Sequence, residues 1–457
     1  MHIELSRGPE GITGVRRRRL RSAGAPAFGR ALALVLVALA TLPAGAEPLE
    51  PALRTLLATH PRILAAERAV QAAHHGIDEA RSGFLPTVTL SGDTGYERID
   101  SVTRRAAEED PSSTGRNALV LTMTQNLFNG FRSTTQLSIA RLEEESVRAE
   151  FNRTRQAILY DGIEAYLTVL RDRRLLALAD RTVRTLETQL ALEQQRERRG
   201  SGIAVDVLQA RSRLQLAREN QTTTRGRLER VEARYRELFD REPAPDSMRL
   251  PDPPVAELPV TLDAAIGEGR SANPAVERAK LDTRIASEQR TTARSSYFPK
   301  LDLVIEGSWE DDVEGVLGTR REQRVLLRGT WDLFDGFLRD ARAARAAEVY
   351  GVQLNTHAAV DREVENRVRS TWVELETARR SETLAREAVD ISAQVFEARQ
   401  KLRLDGRETL INVLDAERER NAAEGRLIVA ETDTRLAAYR LLRHTGMLTP
   451  EVLGLNR

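Results

Sequence analysis

The chain contains no cysteine and few aromatic residues. Among its 457 residues there is not one Cys, so it has no disulfide, no thiolate metal ligand and no cysteine that a lipid could modify. Aromatic residues make up 4% of the chain, whereas charged residues make up 30%. Ala, Leu, Arg and Glu are abundant, and this composition favours long helices over a compact mixed core.

Long apolar runs are also absent. No stretch reaches the ~18 apolar residues of a membrane-spanning helix, so a membrane-embedded part of this chain would consist of strands. The run ALALVLVALATL at 31–42 follows RRRRLR at 16–21 and precedes PAGAE. This order is typical of a secretory signal peptide, and we predict that residues 1–46 are removed. The alternative is an N-terminal core helix.

The predicted signal peptide accounts for the excess of positive charge. Residues 1–46 carry seven Arg and two Glu, a charge of +5, so their removal changes the formal net charge from +1 to −4. The basic cluster is therefore interpreted as a targeting signal, and nucleic acid is not an expected partner.

Proline is missing from two long segments, and glycine is nearly so. The segments from Gly130 to Gly200 and from Gly336 to Gly406 each contain one internal glycine and no proline. Each can form a helix of about 67 residues, roughly 100 Å long. Apolar residues recur at the spacing of a coiled coil, as in Ile163, Leu167, Leu170, Leu175, Leu178, Val183, Leu186 and Leu190. After the turns that follow, a second helix returns alongside each of them.

Two copies of one unit follow one another. LFNGF at 127–131 aligns with LFDGF at 333–337, 206 residues later, and the same offset aligns DVLQA with NVLDA. Upstream, residues 61–86 align with residues 274–299 at an offset of 213. A repeat of this length indicates a duplicated structural unit. The Asn and Asp before each glycine can cap the helix that follows.

The duplication sets the predicted domain boundaries. We predict a first repeat at 47–242 and a second at 261–446, separated by a linker at 243–260 that is rich in proline. Residues 447–457 form a C-terminal tail. Each repeat is expected to contain a helix, a β-hairpin and a long helical hairpin, with the β-hairpins at about 87–128 and 300–334 and the helical hairpins at about 132–240 and 338–445.

Alternating apolar and polar residues predict the four strands. In the second repeat Leu301, Leu303 and Ile305 alternate with polar residues. Such strands suit a membrane barrel with a water-filled lumen and equally a half-buried sheet in a soluble protein. The polar segments 100–117 and 311–320 are expected to form long loops at one end of the two hairpins.

Five charged residues fall on the polar face of the second hairpin. They are Asp302, Glu306, Glu310, Arg324 and Arg328. In a barrel they would line the lumen, where Arg324 and Arg328 either pair with Glu306 and Glu310 across neighbouring strands or bias the passage of ions.

Four strands are too few to close a membrane barrel, which needs about eight or more. Either they form a small sheet in a soluble periplasmic coiled-coil scaffold, or several chains in a ring contribute four strands each.

Motifs of catalysis and of cofactor binding are not found. The six histidines have no ligand spacing, no pair of carboxylates stands out for acid–base work, and there is no P-loop or dinucleotide fingerprint. We therefore predict no catalytic residue, no cofactor and no metal, and a protein that is not an enzyme.

The order and the doubling of these motifs resemble the TolC-like outer-membrane channels of type I secretion and efflux. The resemblance covers roughly residues 50–446 and rests on the signal peptide, on Pro86 and Pro299 before the first strands, on LFNGF and LFDGF, and on the DVLQA and NVLDA motifs. It implies a mainly α fold with membrane β: a homotrimer whose twelve-stranded barrel takes four strands from each chain, and which continues as a long α-helical coiled-coil barrel across the periplasm.

The resemblance also assigns the closed periplasmic end to a set of residues. Asp415 matches one position of an acidic double ring, but Asn412 occupies the other, so a weak interaction with cations is expected. Asp206 matches the acidic partner of an interhelical link, and Arg403 occupies its counterpart. We predict an Asp206–Arg403 ion pair, with Arg407 able to share it, that restrains the closed state. The alternative is that these are ordinary surface charges.

The implied partners are outer-membrane lipid, a periplasmic adaptor (membrane fusion) protein, and an inner-membrane ABC or other transporter. The adaptor is expected to contact the helical turns through Gly200, Ser201, Gly202, Ile203, Asp405, Gly406, Arg407 and Thr409. The implied function is a passive exit duct in the Gram-negative outer membrane. Type I protein secretion is the first expectation, because the chain lacks a lipidatable cysteine, and small-molecule efflux is the alternative.

Overall fold

The structure, a computed structural model, describes residues 49–244 and 247–455. The predicted signal peptide, residues 1–46, lies outside this range. The described part is mainly helical with one four-stranded antiparallel sheet, so the predicted fold class, mainly α with four strands from each chain, is confirmed. Within this part, no helix combines the length and the hydropathy needed to cross a membrane.

Both repeats have the same order of elements, except for a short helix between the two strands of the first repeat. The first repeat consists of α1 (Leu49–Thr59), α2 (Pro61–Ser82), β1 (Thr87–Ile99), the short α3 (Val102–Ala106), β2 (Ser112–Phe128), α4 (Arg132–Arg198) and α5 (Ala204–Phe239). The second consists of α6 (Leu262–Ala272), α7 (Pro274–Arg294), β3 (Lys300–Asp311), β4 (Thr319–Thr330), α8 (Leu338–Leu404) and α9 (Leu410–Thr445). Helices α4 and α8 each have 67 residues, and α5 and α9 each have 36.

The long helices begin at the Asn-Gly and Asp-Gly motifs. Asn129 Oδ1 accepts a hydrogen bond from the backbone N–H of Ser133 at 3.2 Å, and Asp335 Oδ2 accepts one from that of Arg339 at 3.1 Å. These bonds satisfy a free N–H group in the first turn of α4 and of α8. The predicted capping is therefore confirmed, although each polar residue lies two positions before the formal cap.

The strands pair in sequence order, β1-β2-β3-β4, so β1 and β4 form the two edges of the sheet. In the first hairpin Thr87 lies opposite Thr124, and in the second Lys300 lies opposite Thr330. The strand β2 extends to Phe128 through an irregularity after Asn126, where the register shifts against β3.

The second hairpin ends earlier than predicted. Strand β4 stops at Thr330, four residues before the expected boundary at 334. Its partner β3 begins at Lys300, directly after a proline, which has no N–H with which to continue the ladder. The carbonyl groups of Asp332 and Leu333 instead accept hydrogen bonds from the guanidinium of Arg339 at 2.8 and 3.0 Å.

The loop of the first hairpin is shorter than predicted. Residues 112–117 were expected in a loop at 100–117, but they belong to β2. The turn-forming residues in this stretch do not form a turn, because the stretch pairs with β1. Arg116 adds ion pairs to Asp93 at 3.1 Å and to Glu97 at 3.5 Å on the neighbouring strand.

The main hydrophobic core surrounds the middle of α4. Tyr166 of α4, Tyr235 of α5 and Leu441 of α9 are fully buried there. Gly162 allows α1 to approach, since a Cβ at this position would lie 2.5 Å from Cδ2 of Leu56. Beyond this core the helical hairpins are held by a smaller apolar cluster of Val183, Leu186, Leu214, Leu410 and Leu414.

Candidate functional site

The two helical hairpins end in turns that require glycine. Gly200 and Gly406 have φ angles of +73° and +71°, in the left-handed region. Gly202 has a steric role, since a Cβ there would lie 2.9 Å from the backbone nitrogen of Glu197. The predicted adaptor-contact residues lie in these turns, and Ile203 among them is 62% exposed.

Arg403, near the end of α8, connects three helices close to the turns. Its Nη2 lies 3.5 Å from Oδ2 of Asp206 on α5 and 3.3 Å from Oε1 of Glu193 on α4. Glu193 Oε1 also lies 3.1 Å from Nη1 of Arg196. We call Glu193, Arg196, Asp206 and Arg403 the Arg403 cluster. The predicted contact between Asp206 and Arg403 is present, while its effect on opening stays a prediction.

Sequence reasoning missed Glu193. Its side chain is only 6% exposed, so it is the most buried member of the Arg403 cluster. A signal was available, because Glu193 continues the apolar spacing of Leu186 and Leu190 on α4. A carboxylate at a position where the coiled-coil pattern expects an apolar residue needs a charged or hydrogen-bonding partner.

Arg407 does not share the ion pair, and this expectation is wrong. Arg407 lies in the turn itself, where its backbone N–H donates to the carbonyl oxygen of Leu402 at 2.9 Å. The residue is exposed and forms no ion pair with any residue that the structure describes. Arg403 instead precedes the turn, in the last turn of α8, and from there its guanidinium reaches Asp206 on α5 and Glu193 on α4.

The two positions of the expected acidic ring are both engaged within the chain. Asp415 Oδ1 lies 2.6 Å from Nη2 of Arg213 on α5. At the other position, Asn412 Nδ2 donates to Glu408 Oε1 at 2.5 Å, and this hydrogen bond lowers the pKa of Glu408. A carboxylate that is already paired with Arg213 offers little to a cation, which supports the expectation of weak cation binding.

A buried carboxyl group lies farther along the same helices. Glu417 on α9 is only 2% exposed. Its Oε2 accepts a hydrogen bond from Nε2 of Gln189 on α4 at 2.9 Å. Burial raises the pKa of Glu417, since no ion pair of the described residues compensates the loss of hydration. Gln189 precedes Glu193 by about one helical turn, so this contact neighbours the Arg403 cluster.

The polar face of the sheet carries the five predicted lumen residues. Glu306 lies opposite Arg324, and their charged atoms are 3.7 Å apart. Glu310 pairs with Arg320 at 2.7 Å, so the expectation that Glu310 pairs with Arg324 or Arg328 is wrong. The register explains the difference, because Arg320 is the residue opposite Glu310.

Asp302 and Arg328 complete this set. Asp302 Oδ2 lies 2.9 Å from Nζ of Lys300, and its Oδ1 accepts a hydrogen bond from Asn126 at 2.9 Å. Arg328 lies opposite Asp302 in the register. It is exposed and forms no ion pair within the part of the chain that the structure describes.

The other face of the sheet is apolar and exposed. Between 37% and 73% of each side chain is accessible in Val88, Leu90, Tyr96, Leu119, Leu121, Ile305, Trp309, Val325 and Leu327. Nine exposed apolar side chains on one face of a sheet are unfavourable in water, and they mark a surface that contacts lipid or protein.

The predicted site residues thus form two separate groups. The Arg403 cluster and the turn residues lie at one end of the 67-residue helices, and the charged face of the sheet lies at the other. Among the residues described, no group of three or more His, Asp or Glu side chains is arranged to hold a metal ion.

Known proteins share this sequence pattern and this fold. The outer membrane efflux protein BepC of Brucella suis is 23% identical over 378 residues, which is 82% of this chain and 80% of BepC. The alkaline protease secretion protein AprF of Pseudomonas aeruginosa is 23% identical over 384 residues, 80% of this chain and 78% of AprF. The Campylobacter jejuni CmeC outer membrane channel superposes with a TM-score of 0.77 at 11% identity, over 87% of this chain and 85% of CmeC.

The match to a family model falls into two parts, which correspond to the two repeats. The model of the outer membrane efflux proteins matches residues 52–239 and 265–447, one match in each repeat. Together the two matches cover well over half of the 457 residues. The chain therefore belongs to the outer membrane efflux protein family.

Proposed function

We propose that the protein is the outer-membrane exit duct of a tripartite secretion or efflux system. The observation that carries this proposal is the four-stranded sheet, which has open edges and an exposed apolar face and which leads directly into helices of 67 residues. Such a sheet is incomplete in one chain, and other chains can complete it.

As a member of this family, the chain is an outer-membrane protein with a long periplasmic helical part. For its assembly we favour a homotrimer. Closing a membrane barrel needs about eight strands or more, and three chains supply twelve. Lipid would then cover the apolar face, and the charged face with Asp302, Glu306, Glu310, Arg324 and Arg328 would line a water-filled lumen.

Passage through the duct itself requires no catalysed reaction. No arrangement of the described residues calls for a catalytic role or a cofactor, so we assign none. The energy for transport would come from an inner-membrane transporter, and a periplasmic adaptor would connect it to the helical turns. The turn residues, which include Gly200, Ile203, Asp405 and Thr409, are the surface that we assign to the adaptor.

The Arg403 cluster would hold the periplasmic end closed. It connects α8 with α4 and α5 within one chain, and these are the helices whose separation would widen the end of a helical barrel. The two acidic-ring positions, Asn412 and Asp415, lie on α9 beside it.

Type I protein secretion remains our first choice of cargo. Similarity to the alkaline protease secretion protein AprF, over 80% of the chain, supports it. Small-molecule efflux is the second candidate, because BepC is an outer membrane efflux protein and matches over 82% of the chain. Affinity purification of the tagged protein from its own cells, after chemical cross-linking, identifies the adaptor and the transporter and so decides between them.

The exit duct itself is tested by fractionation and by electrophoresis in mild detergent. We expect the protein in the outer membrane fraction, as a trimer that forms channels in planar bilayers. Recovery as a soluble monomer would instead establish the periplasmic coiled-coil scaffold and overturn the proposal.

A further inference from the structure

A groove runs along α4 between α5 and α9, within a single chain. It has a volume of about 490 Å³, which lies in the range of about 300–1,000 Å³ that is typical of sites for small molecules. Its lining residues recur at intervals of three and four along each helix, so each helix turns one stripe of side chains toward the groove. Among the described residues, only members of these three helices line it.

The floor of the groove and much of its walls are apolar. Leu178 and Leu186 of α4 and Leu414 of α9 are buried there. Leu216 of α5 also lines the groove, yet 59% of its side chain is exposed. A ligand with an apolar body would remove this surface from water and would thereby gain binding free energy.

The two ends of the groove differ. The end nearer the helical turns carries the ion pair of Arg213 on α5 with Asp415 on α9, at 2.6 Å. At the other end, Arg227, Ala422 and Gly425 line both the groove and a wider cleft of about 1300 Å³. This cleft is lined mainly by α8 and α9, and it provides a path by which a ligand can enter the groove.

The arginines that line the groove already have acidic partners. Arg213 pairs with Asp415, and Nε of Arg227 lies 3.4 Å from Oδ2 of Asp172, which is fully buried. Arg418 is exposed, and its Nη2 lies 4.0 Å from Oδ1 of Asp415. Each arginine of the lining is therefore within ion-pair distance of a carboxylate.

Glu417 differs from these residues, because it forms no ion pair with any residue that the structure describes. Its Oε2 accepts a hydrogen bond from Nε2 of Gln189 at 2.9 Å. Its Oε1 has no hydrogen-bond partner among the described residues, and neither has Oε1 of Gln189. Two neighbouring side chains thus each bury an acceptor oxygen without a donor, which is unfavourable until a donor is supplied.

Arg420, three residues beyond Glu417, does not fill this role. Its guanidinium lies over the ring of Phe396 on α8, 4.3 Å from the centroid, and donates to Oδ1 of Asn421 at 3.2 Å. Burial outweighs both the charge of Arg420 and the hydrogen bond from Gln189, and it raises the pKa of Glu417. The carboxylate therefore lacks a close positive partner.

A metal ion or an anion fits the groove less well than an organic cation. Divalent cations take several oxygen ligands, whereas Glu417 is the only carboxylate among the described residues that line the groove. An anion would be repelled by Glu417, and the arginines are already paired. Neither kind of ion would cover the leucines.

We propose that the groove is a binding site for a small molecule that carries a primary ammonium group on an apolar body. An ammonium has three N–H donors and no acceptor, so it can supply the charge that Glu417 lacks and donors for the free oxygens of Glu417 and Gln189. Because Glu417 is 2% exposed, binding requires a rotation of its flexible side chain toward the groove. The site goes beyond the proposed exit duct, since it lies within one chain and does not depend on a ring.

Dansylcadaverine is a suitable probe, because it joins an apolar fluorescent dansyl group to a primary amine through an alkyl chain. Its fluorescence rises when the dansyl group leaves water. The matched control is N-pentyl dansylamide, which has the same body and chain but lacks the amine, and which also reports partition into detergent. Both compounds are titrated into the purified protein in mild detergent at neutral pH.

We expect saturable binding of dansylcadaverine that Glu417→Gln weakens at least about tenfold, since a hydrogen bond between charged groups is lost. Binding of the control compound should be the same in both proteins. Glu419→Gln removes an exposed carboxylate from the same helix outside the groove, and it should change neither affinity. Ala422→Trp places a large ring where the groove meets the cleft, so it should weaken binding although Glu417 is retained.

Three results would overturn the site. They are no saturable binding of dansylcadaverine, as when a neighbouring copy covers the groove; equal affinity of the wild type and Glu417→Gln; and equal weakening by Glu419→Gln, which would assign the effect to net charge. In each case a trimer that forms channels would leave the exit duct standing. Saturable, Glu417-dependent binding by a soluble monomer would instead support the site and overturn the exit duct.

Discussion

Replacement of Arg403 by alanine is the most direct test of how the periplasmic end is held. The guanidinium of Arg403 is within 3.5 Å of both Asp206 and Glu193. It also donates to the backbone carbonyl of Glu408 at 3.3 Å. Arg403→Ala removes all three contacts and leaves the hydrophobic packing of α8 in place, so it should weaken the restraint without unfolding the chain.

The size of the effect follows from the burial of the cluster. An exposed ion pair contributes about 0–1 kcal/mol. The side chains of Arg403 and Asp206 are 20% and 21% exposed and that of Glu193 is 6% exposed, so each pair should fall near the upper end of this range. Two pairs per chain then amount to about 2 kcal/mol, and three chains that open together to about 6 kcal/mol. About 5.5 kcal/mol moves a two-state equilibrium from 1:99 to 99:1.

Single-channel recording in planar bilayers measures this shift. We expect Arg403→Ala channels to be open for most of the time at a larger conductance than the wild type, with Asp206→Asn intermediate because it loses one pair of two. Arg198→Ala is a matched control, since Arg198 lies in the last turn of α4, is exposed and forms no ion pair with the described residues.

Two results would refute the reasoning. If Arg403→Ala and Asp206→Asn both conduct as the wild type does, the Arg403 cluster is an ordinary set of surface charges. If Arg198→Ala opens the channel as much as Arg403→Ala, the effect comes from net charge near the turns and not from the contacts.

Three further predictions concern other parts of the structure. Arg213→Ala should free the carboxylate of Asp415 to bind a cation. Because a charge-assisted hydrogen bond is worth about 1.5–3 kcal/mol, the concentration of a multivalent cation that halves conductance should fall at least about tenfold. An unchanged concentration would contradict this. Glu417→Gln should raise the melting temperature at neutral pH but not below about pH 4.5. Burial raises the pKa of Glu417 in the folded state. The stability of the wild type that is present below the unfolded pKa of about 4.3 is therefore lost as the pH rises through the folded pKa, and the uncharged Gln avoids this loss. Gly162→Ala should cost about 1–3 kcal/mol of stability by overpacking, whereas Gly267→Ala, where a Cβ meets nothing within 4 Å, should cost nothing; equal melting temperatures would contradict the close approach of α1 to α4.

Much of the fold was predictable because it depends on local patterns. The apolar spacing in α4, the absence of proline, and the Asn-Gly and Asp-Gly motifs determine where the long helices run and begin. The alternation of apolar and polar residues predicted that Leu301 lies on one face of the sheet and Glu306 on the other. The boundary of β4 depended instead on where its partner starts, and that is a property of two segments that are distant in the sequence.

Partners of charged residues were predictable where a resemblance supplied them, and in one case, Glu306 with Arg324, from the alternation along the strands. Asp206 and Arg403 were paired on that basis, and the contact is present. Glu310 was assigned to the wrong arginines because the face of a strand is set by alternation, whereas the partner is set by register. Asp415 was assigned to one position of an acidic ring, but its contact with Arg213 arises from the packing of α9 against α5, which no local pattern reveals.

The divergence of the repeats explains why the Arg403 cluster has no second copy at the equivalent positions of the described residues. The residues that correspond to Glu193, Asp206 and Arg403 under the shift of 206 are Arg399, Asn412 and Glu197. Arg399 donates to the carbonyl oxygen of Asn412 at 3.4 Å, so this second site contains a hydrogen bond where the first contains an ion pair. A trimer would thus have six similar helical turns but only three Arg403 clusters. Opening should therefore proceed with three-fold symmetry, with α8 moving away from α4 and α5 of its own chain, because that is where the charged contacts lie.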